Sequence, residues 1–220
     1  MGFLCQESIA KLGHMQQLAN KMTYWVESLM DVYLVRHTKP NVSIGLCYGQ
    51  SDLGLAESFD VEWSQLKPKI AHLESPLVFS SPLQRCLKLA EKAVSDFDFR
   101  TPIIDARLLE LNFGDWELKA WSDIPQGIIG EWTDDHVNKA PPHGESYVAL
   151  HLRAKKFLAE LNQYQESQVL VFTHAGVIRA LVSEALSVPL REASRIELRY
   201  GSVTHIALDA GVTRLGFVNR

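Results

Sequence analysis

Two rhythms of apolar and polar positions run through this chain. Short β-branched runs at Val32 to Val35, Leu77 to Phe79, Pro102 to Asp105, Val169 to Phe172 and Val203 to Leu208 predict strands. Between them, Leu150 to Leu161 and Val177 to Leu186 carry helical spacing. Ser81, with Pro82 next and Gln84 three residues on, predicts an N-cap, a first-turn proline and a capping-box partner opening a helix through Leu89 and Val94. Buried strands joined by helices imply an α/β fold, a three-layer sandwich with a mostly parallel central sheet and helices on both faces. Ligands of such sheets sit beyond the carboxyl ends of the strands.

Two stretches break the alternation. Residues 111 to 145 hold Trp116, Trp121, Trp132, Gly127, Gly130 and the Pro141-Pro142 pair, and predict a small inserted cap. Residues 1 to 29 form an extension to a single domain over 30 to 220. In it Leu12, Met15, Ala19, Met22, Val26 and Leu29 recur at three and four spacing. Such a stripe is either a helix docked on the domain, or on a second copy in a homodimer, or a spurious leader ahead of a natural start at Met30. Neither a signal peptide nor a lipid anchor is expected: Lys11 and Lys21 are its basic residues, and Gln6 stands where a myristoylation signal wants Ser or Thr.

Charge and cysteine content narrow the partners. The 22 basic and 26 acidic side chains of the 220 residues give a net charge of -4, so no long-range attraction to nucleic acid or membrane is expected. Three cysteines, Cys5, Cys47 and Cys86, without a CxxC pair, point to a reducing compartment, with the cytoplasm as the default. An anionic ligand must therefore meet a local cluster of positive groups.

The strand ends supply one. The first predicted strand ends in Arg36-His37, the second leads through Ser80-Ser81 to Arg85, the third is followed by Glu110, and the fourth ends in Thr173-His174. Singly, each has a dull explanation, since a histidine closing a strand is usually a satisfied structural residue. Together, positive groups gathered around two imidazoles are costly to the fold and useful for holding a multiply charged anion, with phosphate the obvious candidate.

Leu34-Val35-Arg36-His37-Thr38, Ser80-Ser81-Pro82-Leu83 with Arg85, Glu110 with Phe113-Gly114-Asp115-Trp116-Glu117, Gly144-Glu145-Ser146 and Thr173-His174-Ala175-Gly176 together resemble the histidine phosphatase (phosphoglycerate mutase-like) superfamily in order and spacing. The loop Cys47-Tyr48-Gly49-Gln50-Ser51-Asp52 resembles that of its α-ribazole phosphatase group, which implies substrate contacts for Tyr48, Gly49 and Gln50. Thr38 departs from the commoner glycine, and His143 precedes Gly144 where glycine is usual. The resemblance implies a phosphomonoesterase without metal or cofactor that serves a small-molecule phosphomonoester. His37 would be the nucleophile, Glu110 the proton donor, and Arg36, Arg85 and His174 the holders of the phosphoryl oxygens. Elementary chemistry agrees, because a dianionic ester repels anionic nucleophiles and a neutral imidazole does not suffer that repulsion. Tyr48, Phe113, Trp116 and Trp121 lie where they could border the pocket and stack on a flat base.

Rival chemistries fare worse. Asp96-Phe97-Asp98 does not follow a buried strand, and Thr101 comes one position late for an aspartyl phosphatase. Leu53 and Lys92 stand where a cysteine phosphatase needs arginine, six residues after Cys47 and Cys86. A broad sugar-phosphate or phosphoserine phosphatase, a mutase and an inactive binding module remain as alternatives.

Overall fold

The computed structural model describes residues 29–209 and 211–220, so the stripe from Leu12 to Val26 lies outside the described residues. One mixed sheet has the order β3-β2-β4-β1-β5-β6. Its strands are β1 (Met30–Arg36), β2 (Leu77–Ser80), β3 (Ile103–Ile104), β4 (Gln168–Thr173), β5 (Val203–Asp209) and β6 (Val212–Phe217). The pairs β1 with β4, β4 with β2 and β2 with β3 are parallel, whereas β5 runs antiparallel to both β1 and β6. Because both faces are covered, the central strands are apolar at nearly every position instead of alternating.

The described residues form the helices α1 (Phe59–Ile70), α2 (Gln84–Phe97), α3 (Gln126–Asp134), α4 (Tyr147–Glu160) and α5 (Ala175–Leu186), of which all but α3 cover the sheet. Val32, Leu34, Phe79, Val169 and Val171 pack on α4 and α5. Tyr33, Val35, Val78, Leu170 and Phe172 face the other way, onto α1 and α2. This is the expected three-layer arrangement, and each fully buried Leu or Val contributes about 1.5 to 3 kcal/mol. Among the described residues no helix is long and apolar enough to cross a membrane.

Several boundaries differ from the sequence pattern, each for a physical reason. The third strand shrinks to Ile103–Ile104, both exposed at the sheet edge, because only these two residues pair with β2. The strand β6 was not announced by its sequence. It is an outer strand with one face in solvent, and Gly216 admits the His205 ring, which would lie 2.0 Å from an added Cβ. The helix α1 was missed as well, although Trp63, Leu66 and Ile70 are buried at helical spacing, because Pro68 interrupts it. The expected capping box of Ser81 does not form: α2 starts at Gln84 with Leu83 as its N-cap, and no side chain caps it there. Asp52, from the preceding loop, accepts from Gln84 N at 2.7 Å and Gln84 Nε2 at 3.1 Å instead. The helix α4 begins three residues early, at Tyr147, where Ser146 Oγ accepts from Ala149 N.

The segment 111–145 consists of 3-10 turns at Gly114–Trp116 and Trp121–Asp123 followed by α3. It has its own small apolar cluster of Cys47, Trp116 and Ile124, with Phe113, Trp121, Ile129 and Trp132 packed against it.

Candidate active site

Strand register brings the histidines together. Arg36 lies opposite Thr173 across the parallel β1 and β4 pair, and His37 N donates to Thr173 O at 3.0 Å. Ser80 is level with Phe172 on the other side of β4, and Ser81 N donates to Phe172 O. His37, His174 and Ser81 therefore leave the sheet at one height. The two imidazole rings stand 5.0 Å apart, and both histidines are almost fully buried.

Hydrogen-bond partners fix both tautomers. His37 Nδ1 lies 2.7 Å from the carbonyl oxygen of Thr38, which can only accept, so Nδ1 carries the proton and Nε2 the lone pair. Arg85 Nε donates to His174 Nδ1 at 3.3 Å, so the proton of His174 sits on Nε2 and is donated to Ser81 Oγ at 2.8 Å. Burial, followed by the charges of Arg85 and Arg36, holds the His37 pKa well below the usual imidazole value despite its Thr38 hydrogen bond. His174 is lowered by burial first, then by His37 and Arg85. Both rings are thus neutral. Cys86, directly beneath His174, has its thiol pushed up by burial and acts as a small apolar filler.

Arg85 is wholly buried in the first turn of α2, and its terminal nitrogens donate to Ser51 O at 2.8 Å and Gly49 O at 2.6 Å. A glycine is required at position 49, since an added Cβ would stand 2.0 Å from Leu111 O. Glu117 holds the same loop by accepting from Gln50 N, Ser51 N and Phe113 N. Burial pushes its carboxyl pKa up, but these bonds and that from the Ser51 hydroxyl outweigh it, leaving the net shift downward.

Arg36 donates to Leu198 O and lies 3.9 Å over the Tyr200 ring. Tyr200 in turn shares a 2.7 Å hydrogen bond with Tyr48, whose ring faces Arg85 at 5.5 Å. Two buried polar atoms flanking His37 in sequence, Arg36 Nε and Thr38 Oγ1, have no partner among the described residues. Both can donate to an oxyanion, as orphaned groups at functional sites do.

Opposite stands Glu110. Its carboxylate accepts from Gly176 N at 3.1 and 3.2 Å and from Leu111 N at 3.0 Å, at the positive end of α5. A Cβ at position 176 would lie 2.2 Å from Glu110 Oε1, so glycine is needed for this approach. The backbone oxygen of Glu110 accepts from Gln50 Nε2 and from Arg153, which also binds the carbonyls of Arg107 and Leu109.

Arg36, His37, Tyr48 and Glu110 line a cavity of about 280 Å³, with Phe113, Trp132, Tyr147 and Arg179 completing much of its wall. Arg85 and His174 stand behind His37. Gly49 and Gln50, expected to touch substrate, are off the cavity wall; one steadies Arg85 through its carbonyl, the other Glu110 through its side chain. Of the four aromatic residues expected at the pocket, Tyr48 and Phe113 line it, whereas Trp116 and Trp121 fill the apolar cluster of the cap and Trp132 lines the cavity instead. Sequence reasoning missed Tyr200, Arg179, Arg153 and the use of Ser81 as partner of His174. For Arg179 a signal existed, since it lies five residues after His174 on the same helix.

Known proteins resemble this chain. The adenosylcobalamin/alpha-ribazole phosphatase of Escherichia coli (strain K12) is 29% identical over 165 residues, covering 73% of this chain and 81% of that protein. The Erwinia tasmaniensis protein named "Probable phosphoglycerate mutase GpmB" is 30% identical over 184 residues, covering 81% of this chain and 85% of its own. The crystal structure of the alpha-ribazole phosphatase from Shigella flexneri superposes with a TM-score of 0.80 at 25% identity, over 87% of this chain and 96% of that one. The family described as "Histidine phosphatase superfamily (branch 1)" matches residues 32–220. With the paired histidines, the arginines and the carboxylate assembled over that same span, the chain belongs to the histidine phosphatase superfamily.

Proposed function

We propose that the protein is a metal-independent phosphomonoesterase that works through a phosphohistidine on His37, with α-ribazole 5'-phosphate as its substrate. The observation that carries the chemistry is the bond from His37 Nδ1 to Thr38 O, which leaves a neutral ring with its lone pair on Nε2 beside the cavity. In the first step Nε2 forms a bond to phosphorus as the ester P–O bond breaks, and Glu110 gives its proton to the departing oxygen. In the second, water attacks phosphorus, Glu110 takes up the proton of that water, and the N–P bond breaks to release phosphate. Arg36 and Arg85 neutralise the phosphoryl oxygens, which supplies from the chain the charge that a metal would otherwise bring, and His174 helps to hold them as a neutral ring.

The substrate assignment rests on two supports. Relatives named for α-ribazole phosphatase match most of the chain. Phe113 and Trp132, with ring centroids 6.0 Å apart, also offer aromatic surface for a flat bicyclic base. The test compares kcat/KM for α-ribazole 5'-phosphate and ribose 5-phosphate in excess EDTA. Phosphate contacts are common to both, and stacking contributes about 0.5 to 1.5 kcal/mol beyond burial, so a preference of at least about tenfold for the ribazole is expected. Equal values would leave a general phosphomonoesterase, and activity restored only by magnesium would overturn the metal-independent route.

A further inference from the structure

Three guanidinium groups belong to the cavity or its rear wall, and their charges lack carboxylate partners among the described residues. Arg36, Arg85 and Arg179 bond only to carbonyl oxygens and, in the case of Arg85, to His174. Most arginines elsewhere among the described residues are paired with carboxylates, as Arg107 with Asp105 and Glu160, or Arg153 with Glu145, and Arg220 at the chain end instead lies over the Phe217 ring. A phosphoryl dianion is matched by Arg36 and Arg85, which flank His37. Arg179 is left over.

Its position says what it is for. Arg179 follows Gly176 by three residues on α5, on the same helix face and about 4.5 Å further along the axis. The amide of Gly176 holds the Glu110 carboxylate, and Glu110 stands on the side where the leaving oxygen departs. The wall beyond it therefore faces the leaving group. Arg179 commits only Nε, to Ile196 O at 2.9 Å, so both terminal nitrogens keep their donors for the cavity it lines. On the same wall the indole Nε1 of Trp132 is buried without a partner among the described residues. These groups can only donate.

We propose that Arg179 is a specificity-determining residue that grips paired oxygen acceptors on the leaving group, either the vicinal hydroxyls of a sugar or a carboxylate. The guanidinium fork presents parallel N–H groups at the spacing such oxygen pairs need. The inference rests on the phosphohistidine reading above, because that reading places the leaving group beyond Glu110.

The experiment measures kcat/KM of the unmodified protein, Arg179→Met and Arg179→Lys on ribose 5-phosphate, phosphoserine and phenyl phosphate, whose leaving group lacks paired oxygens. The phenyl ester also corrects for any misfolded fraction in each preparation. Arg179→Met should lower kcat/KM for the sugar phosphate, for phosphoserine or for both by at least about tenfold more than for phenyl phosphate, as expected for hydrogen bonds to a charged group. Loss confined to ribose 5-phosphate assigns the diol, and loss confined to phosphoserine assigns the carboxylate. For a carboxylate, Arg179→Lys should recover part of the loss, since charge remains without the fork. An equal loss on all three esters, or none on any, overturns the proposal. If the unmodified protein hydrolyses none of them, the phosphomonoesterase reading itself falls.

Discussion

On the sheet side of the cavity, His37, Arg85 and His174 are at most 2% exposed, and each is held through the backbone of paired strands or of the first turn of α2. On the cap side, α3 buries none of its residues, and the wall is made from short turns around a cluster of three buried side chains. Phosphoryl transfer needs reacting atoms placed to within a fraction of an ångström, and parallel strands in register supply that. Choosing a leaving group needs only a surface of suitable shape, which turns can provide and alter without disturbing the sheet. The comparison gives the sheet side the placing of the nucleophile and the cap side the shaping of the pocket, with Glu110 and Arg179 brought to both by α5.

The largest expected effect lies at the carboxylate opposite His37. Glu110→Gln removes the proposed proton donor but keeps the acceptor facing Gly176, so hydrolysis of alkyl phosphates should slow by about 10² to 10⁴. Phenyl phosphate, whose leaving group departs with less help, should lose far less. The rate of protein phosphorylation, read as kcat/KM or as the pre-steady-state burst on the two ester classes, checks this apart from the shared dephosphorylation step, and equal slowing of it would remove Glu110 from its role as proton donor.

A crossed pair of variants in the cap sharpens the contrast. Trp116→Ala should lower stability in urea by about 3 to 5 kcal/mol, since the ring is buried, and leave substrate preference in the folded fraction unchanged. Trp132→Ala should narrow the preference for α-ribazole 5'-phosphate over ribose 5-phosphate by about 2- to 10-fold, the worth of one stack. The reverse assignment of the two effects would mean that the cap wall is misread.

The smallest effect is set by pH. His37 and His174 stay neutral in the fold, whereas in the unfolded chain they take up protons near pH 6.5. Below that value the unfolded state binds more protons, so stability is retained above pH 6.5 and lost as pH falls. The unfolding midpoint should therefore drop on going from pH 7.5 to pH 5.0. Urea unfolding at pH 7.5 and 5.0 measures it, and an unchanged midpoint would mean that the rings are not held neutral. The acid limb of kcat/KM should likewise lie well below pH 6.5.

Much of this was legible in the sequence for one reason. Parallel strands in a covered sheet leave continuous apolar runs, and the polar residues closing them, His37 and His174 among them, mark the site edge directly. Ser81 was visible but misread, because the motif for capping a helix and the hydroxyl that accepts from His174 are the same residue in the same place. Tyr200, which faces Arg36, reaches the site only through the antiparallel return of β5, and no local spacing announces that. Trp132 and Trp116 are alike in composition and differ only in which side of the cap cluster they occupy, a tertiary fact. The edge strand β6 lacks a buried face strong enough to set a pattern.

The central claim is that phosphate passes through His37. Phenyl phosphate carrying ³²P suits the measurement, because its good leaving group favours formation of the intermediate over its breakdown. Rapid acid-free quenching should show a burst of protein-bound phosphate, stable in alkali and labile in acid, on the peptide that contains His37. The same burst should be absent from His37→Ala, together with turnover. Label mapped to another residue such as His174, or undiminished turnover in His37→Ala, would contradict the account.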